Sequence, residues 1–127
     1  MATIRIVLAD DNLEFLNAAT DFLAIDPQLE IVGQARSGRE AVDQVIQLQP
    51  HLVIMDLAMP ETNGFEATRQ IKAQSDPPYV IILTLYDNPE YQAAAKRVEA
   101  DGFVPKSDLG MLLLPLIHLL CNNQADF

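Results

Sequence analysis

Apolar residues fall along this chain in two alternating patterns. Short, mostly apolar strand-like runs occupy Ile4–Ala9, Ile31–Ala35, Leu52–Met55, Val80–Thr84 and Phe103–Val104. Nothing polar alternates with Val53, Ile54 and Met55, which marks the end of a strand covered on both faces. Between the runs the period changes to that of a helix. Phe15, Leu16, Ala19, Phe22 and Leu23 share one helical face, and Asp26-Pro27 closes that segment. Ser37-Gly38-Arg39-Glu40 and Asn63-Gly64-Phe65-Glu66 are capping-box patterns that open two further helices. Asn88-Pro89-Glu90 opens a fourth, expected to run to about Ala100 before Asp101-Gly102 breaks it. Strand and helix alternate five times.

Buried strands joined by helices predict an α/β domain: a five-stranded parallel sheet, order 2-1-3-4-5, with helices on both faces. In such a sheet every strand ends on the same edge. The residues after the strands converge there, at the crevice between strands 1 and 3 where the order reverses. Asp10 and Asp11 follow the first strand, Asp56 the third, Thr84 ends the fourth and Lys106 follows the fifth.

Crowded carboxylates need a cation or raised pKa values, and all-oxygen ligands suit Mg²⁺ or Mn²⁺. A carboxylate is also a competent nucleophile toward phosphorus, and phosphoryl transfer asks mainly for positioning and charge neutralisation. Asp56 with Asp10, Asp11, Thr84 and Lys106 supplies those parts. Each residue taken singly has a plainer role: Asp10, Asp11 or Asn12 as a helix cap, Thr84 as a strand residue, Lys106 as a surface charge.

Composition narrows the partners. The 127 residues suit one domain, with residues 123–127 a tail or the start of a linker. Eight basic against 18 acidic residues give a formal charge of −10, which argues against nucleic-acid binding by this domain. The single cysteine, Cys121, excludes an internal disulfide and suggests a reducing compartment. No signal-peptide pattern opens the chain and no apolar run spans a bilayer, so a cytoplasmic domain off the membrane is expected. There is no glycine-rich phosphate loop and no Cys/His metal spacing.

The motifs Asp10-Asp11, Asp56-Leu57-Ala58-Met59-Pro60 with Asn63-Gly64, Thr84, and Phe103-Val104-Pro105-Lys106 together resemble the response-regulator receiver domains of two-component signalling. The likeness covers essentially the whole chain and implies a flavodoxin-like, CheY-like three-layer fold. It implies that Asp56 accepts a phosphoryl group from a histidine kinase or phosphotransfer protein. Asp11, Asp56 and the Ala58 carbonyl would be direct Mg²⁺ ligands, with Asp10 acting through water. Lys106 would pair with the phosphoryl group or Asp56, while Thr84 and Phe103 would switch. The domain would catalyse only its own phosphorylation and dephosphorylation. A homodimer or effector would meet the face made by helix 4, strand 5 and helix 5.

Ala35–Ala41 and Ala100–Phe103 are worded most like receivers of the nitrate-regulator (LuxR) type, which usually carry a DNA-binding helix-turn-helix for transcription regulation, a unit without counterpart in these residues. The alternative is a degenerate, non-phosphorylated receiver acting as an interaction module. Two features strain the pattern. Leu85 stands where receivers usually have a small residue, and is expected to alter phosphorylation or dephosphorylation kinetics. The last helix is apolar on nearly all sides, with His118 the polar interruption and Pro115 expected either to kink it or to lie in its first turn. His51 and His118 are not expected to be ligands.

Overall fold

The computed structural model describes residues 3–59 and 62–122; Pro60 of the expected motif and the 123–127 tail lie outside them. Five parallel strands form one sheet in the expected order, β2-β1-β3-β4-β5. They are β1 (Ile4–Ala9), β2 (Leu29–Ala35), β3 (Leu52–Asp56), β4 (Tyr79–Thr84) and β5 (Gly102–Pro105). The helices are α1 (Leu13–Ala24), α2 (Gly38–Leu48), α3 (Gly64–Lys72), α4 (Pro89–Arg97) and α5 (Leu109–Asn122), the last preceded by a 3-10 turn at Lys106–Asp108.

Alternation along each strand sorts the core into two layers. Ile4, Ile6 and Leu8 of β1 pack with Leu16 and Leu23 of α1 and Leu113 and Ile117 of α5. Val7 and Ala9 face the other way, onto Ala41 and Val45 of α2 and Ala67 and Ile71 of α3. A smaller cluster of Leu57, Ile82 and Ala95 seats α4. Among the described residues no helix is long and apolar enough to cross a membrane.

The helix starts follow their cap residues. Ser37, Asn63 and Asn88 accept the backbone N–H of Glu40, Glu66 and Tyr91. Of the three candidates at α1, Asn12 is the cap, accepting the N–H of Phe15. Neither aspartate is therefore the cap, although Asp10 Oδ1 accepts the Asn12 N–H.

Besides strands that begin one or two residues earlier than expected, three features depart from expectation. β3 includes Asp56, so that carboxylate stands on the last strand residue rather than after it. α4 stops at Arg97, because Glu99 takes a left-handed φ of 66° and the Ala100 N–H turns back to the Ala95 carbonyl. Pro115 sits inside α5, not in its first turn. Its ring removes the donor for the Met111 carbonyl, and Met111 and Pro115 both lie on the exposed side of the helix.

At the opposite edge from the aspartates the strands are clamped. His51 Nδ1 accepts the Arg5 N–H at 2.9 Å, so this histidine, not expected to be a ligand, serves the backbone. Asp101 accepts both Lys72 Nζ and the Val80 N–H at 2.8 Å, tying α3 to the start of β4. His118 is not a free polar interruption: its Nε2 pairs with Asp26 at 2.6 Å and joins α5 to the end of α1. The Gln28 N–H and His118 together hold the Asp26 carboxyl below its usual range.

Gly64 packs so tightly on the Asp56 carbonyl that an added Cβ would overlap it, and would lie 2.9 Å from Leu57 Cα. Gly110, by contrast, has open space around it. Gly64→Ala is expected to lower stability by about 1–3 kcal/mol, as overpacking does. Gly110→Ala should leave it unchanged or raise it by up to about 1 kcal/mol. Urea titration of both variants checks the pair, and equal effects would contradict the packing argument.

Candidate phosphoryl site at the sheet edge

Strand register builds the site. Ala9 pairs with Met55, so the next residues on the two strands, Asp10 and Asp56, stand side by side. Asp56 pairs with Leu83, the residue before Thr84. Thr84 pairs with Pro105, the residue before Lys106. Four strand ends thus deliver four polar side chains to one rim.

Asp10, Asp56 and Thr84 are buried, at 2%, 6% and 1% exposure, while Asp11 is exposed. One carboxylate oxygen from each of Asp10, Asp11 and Asp56 lies within 4.8 Å of the others. Lys106 Nζ reaches Asp10 Oδ2 at 2.8 Å and Asp56 Oδ1 at 3.2 Å. It is therefore shared, and held slightly closer to Asp10. The Ala58 N–H donates to Asp56 Oδ2 at 3.2 Å, and the Asn12 N–H to Asp10 Oδ1 at 2.9 Å. Thr84 Oγ1 accepts the Tyr86 N–H at 3.1 Å. Leu85 next to it is 73% exposed.

Electrostatics follow from this crowding. Burial raises the pKa of Asp56, the charge of Asp10 adds to the effect, and Lys106 opposes it without cancelling it. Burial works against the Lys106 charge, but hydrogen bonding to Asp10 and the charge of Asp56 outweigh it, so its pKa is raised. One ammonium does not neutralise three carboxylates. The all-oxygen donor set matches the chemistry of a hard divalent cation.

Beyond the acidic edge, Phe103 is half-buried against the Leu57, Ile82 and Ala95 cluster, beside Phe65 and Tyr91. Tyr91 lies between Phe65 and Tyr86, with ring centroids 6.0 and 5.8 Å away. Sequence reasoning brought Asp10, Asp11, Asp56, Thr84 and Lys106 to one edge, but missed two supports. Gly64 was read as part of a capping box and of the Asn63-Gly64 motif, but not as the point where a missing side chain lets α3 close on Asp56. Phe15 was assigned to the buried face of α1, yet its ring centroid is 4.0 Å from Lys106 Nζ.

Residues 6–113 match the response regulator receiver domain family, and the chain belongs to it. It is the receiver domain of a two-component response regulator, a phospho-accepting module of a kind that generally binds Mg²⁺ at an acidic pocket. It is 37% identical over 108 residues to a protein-glutamate methylesterase/protein-glutamine glutaminase of a Nocardioides species, covering 84% of this chain and 30% of that protein. It is 32% identical over 122 residues to the transcriptional regulatory protein DegU of Brevibacillus brevis, covering 96% and 52%. Among solved structures, a LuxR-family response regulator from Aurantimonas sp. SI85-9A1 superimposes with a TM-score of 0.87 at 28% identity, covering 95% of this chain and 87% of that one. The chain spans about a third to a half of the two curated relatives, whose names differ in what the whole protein does. The LuxR-family and DegU likenesses agree with the nitrate-regulator wording of the sequence.

A carboxyl whose pKa is higher folded than unfolded binds more protons in the folded state between the two values. Stability therefore falls as pH rises through that window, and the cost persists above it. For Asp56 the window starts at the ordinary carboxylate range, about pH 4. In EDTA, Asp56→Asn is expected to raise the urea midpoint more at about pH 7 than at about pH 4. A gain that is the same at both would show that crowding at Asp56 does not govern its stability.

Proposed function

We propose that Asp56 is the phosphoryl acceptor of this receiver. The observation that carries the reading is the sharing of one half-buried ammonium, Lys106, between Asp56 and Asp10 at the rim where three carboxylates meet. An oxygen of Asp56 attacks the phosphorus of a phosphohistidine on a histidine kinase or phosphotransfer protein. The new O–P bond forms as the P–N bond breaks, and the released electron pair returns to the imidazole nitrogen. Lys106 lies close enough to lean on the transferred oxygens. Asp10, Asp11 and Asp56, with the Ala58 carbonyl, would hold Mg²⁺ or Mn²⁺, whose charge offsets that of the phosphoryl oxygens.

The switch residues are Thr84 and Phe103. To turn toward a phosphoryl oxygen, the Thr84 hydroxyl must rearrange its bond from Tyr86 N–H, and Tyr86 belongs to the aromatic row with Tyr91 and Phe65. A charge change at Asp56 therefore acts on the packing of α4 and β5 beside Phe103, as a population shift between two arrangements. The domain works in the cytoplasm, catalyses only its own phosphorylation and dephosphorylation, and binds neither nucleic acid nor membrane itself. Its output passes through a homodimer or effector at α4, β5 and α5, and so to transcription in a longer regulator.

Incubation with acetyl phosphate and Mg²⁺ is expected to give one phosphoryl adduct by intact mass, lost in Asp56→Asn and in EDTA. No adduct on the wild type would favour an interaction module instead. On the output face, Leu112 is 46% exposed on a helix without a charged residue. Leu112→Glu should leave the adduct intact and weaken self-association or effector binding after phosphorylation. Sedimentation velocity with and without acetyl phosphate reads the self-association arm, and a wild type that stays monomeric in both leaves the effector as the partner.

A further inference from the structure

Lys106 has a third neighbour that the chemistry above does not use. Its ammonium lies 4.0 Å from the centroid of the Phe15 ring, within cation–π range. The ring is not there by free rotation of a surface side chain. Phe15 is half-buried against the α1–α5 core layer, and its N–H is bound by the Asn12 side chain at 3.0 Å. The Asn12 N–H is in turn bound by Asp10 Oδ1, and Asp10 Oδ2 receives Lys106. The four residues close a circuit: Asp10 fixes Asn12, Asn12 fixes Phe15, Phe15 faces Lys106, and Lys106 returns to Asp10.

We propose that Phe15 is a positioning residue for Lys106, holding its ammonium at the rim for phosphoryl transfer to Asp56; the inference rests on the reading of Asp56 as acceptor. Lysine has a flexible four-carbon stem and three donors, and two carboxylates compete for it here, Asp10 at the shorter distance. The ring attracts the charge without selecting an oxygen. That attraction persists as the N–H groups pass from a carboxylate to a phosphoryl oxygen, so the ammonium stays near the acceptor while its hydrogen bonds change. A leucine at position 15 could fill much of the same apolar space but offers no π face.

The test follows the initial rate of adduct formation from acetyl phosphate and Mg²⁺ by intact mass, at a temperature where urea titration shows every variant folded. Phe15→Leu is expected to slow the reaction about three- to tenfold, in line with a partly desolvated cation–π contact. Phe15→Tyr, which keeps the π face, should stay within about twofold of wild type. In a Lys106→Met background, whose slower reaction is followed over hours, Phe15→Leu should make no further difference. An unchanged rate in Phe15→Leu overturns the proposal. So does equal slowing in both backgrounds, which would mark Phe15 as packing alone. No adduct on the wild type overturns the Asp56 reading and this inference with it, whereas a wild-type adduct with an unaffected Phe15→Leu variant overturns this inference alone.

Discussion

The structure is organised around a repulsion. Three carboxylates converge within 4.8 Å, two of them buried, and one ammonium is shared between the buried pair. Two like charges about 4 Å apart near a protein surface repel by roughly 4 kcal/mol, a large fraction of a small domain's stability. Such a cluster persists only if the backbone beneath it cannot relax. Parallel register supplies that rigidity: Asp10 and Asp56 are locked beside each other by the pairing of Ala9 with Met55. Gly64 adds a second lock from α3 by closing on the Asp56 backbone, an approach that any side chain would prevent. The rim therefore stores unfavourable charge that a cation, a proton or a covalent group on Asp56 can rearrange.

That stored charge is well matched to a weak latch. Thr84 is held by one backbone hydrogen bond from Tyr86, and such a bond contributes about 1 kcal/mol net. On the proposed reading, a phosphoryl group on Asp56 would have only this one bond to displace in drawing Thr84 toward it. Tyr86 is linked to Tyr91, and Tyr91 to Phe65, by ring contacts rather than by hydrogen bonds. Apolar ring contacts admit alternative packings at little cost in polar satisfaction. The local cluster under α4 is also small, built on Leu57, Ile82 and Ala95, so α4 is the helix least anchored in the core layers.

Most of this was legible in the chain, for identifiable reasons. Strands covered on both faces leave mostly apolar runs, as at Leu52–Met55, and caps at Ser37, Asn63 and Asn88 name the helix starts directly. Parallel topology then carries Asp10, Asp11, Asp56, Thr84 and Lys106 to one edge without further assumption. Contacts that depend on register and side-chain reach were not legible. Nothing in the helical spacing of Phe15 distinguishes a core ring from one that faces a lysine 91 positions away, and Asp26 and His118 meet across a similar gap. Helix ends were harder to read than starts. α4 closes through a left-handed Glu99, a conformation that residue type does not announce. Pro115 lies inside α5 on its exposed side, which depends on which side of the helix is covered.

The two edges of the sheet divide the work. At the far edge, His51 and Arg5 exchange backbone and ring hydrogen bonds, and Asp101 gathers Lys72 and the Val80 N–H. These bonds fix the starts of β1, β3 and β4 without using any group from the acidic rim. A change of charge at Asp56 therefore breaks none of these bonds directly. A domain that had used its acidic residues both to hold the sheet and to hold a cation would loosen whenever the site changed state. Here the clamp carboxylate, Asp101, and the site carboxylates belong to opposite edges, so the rim is free to change state while the register that assembles it stays fixed.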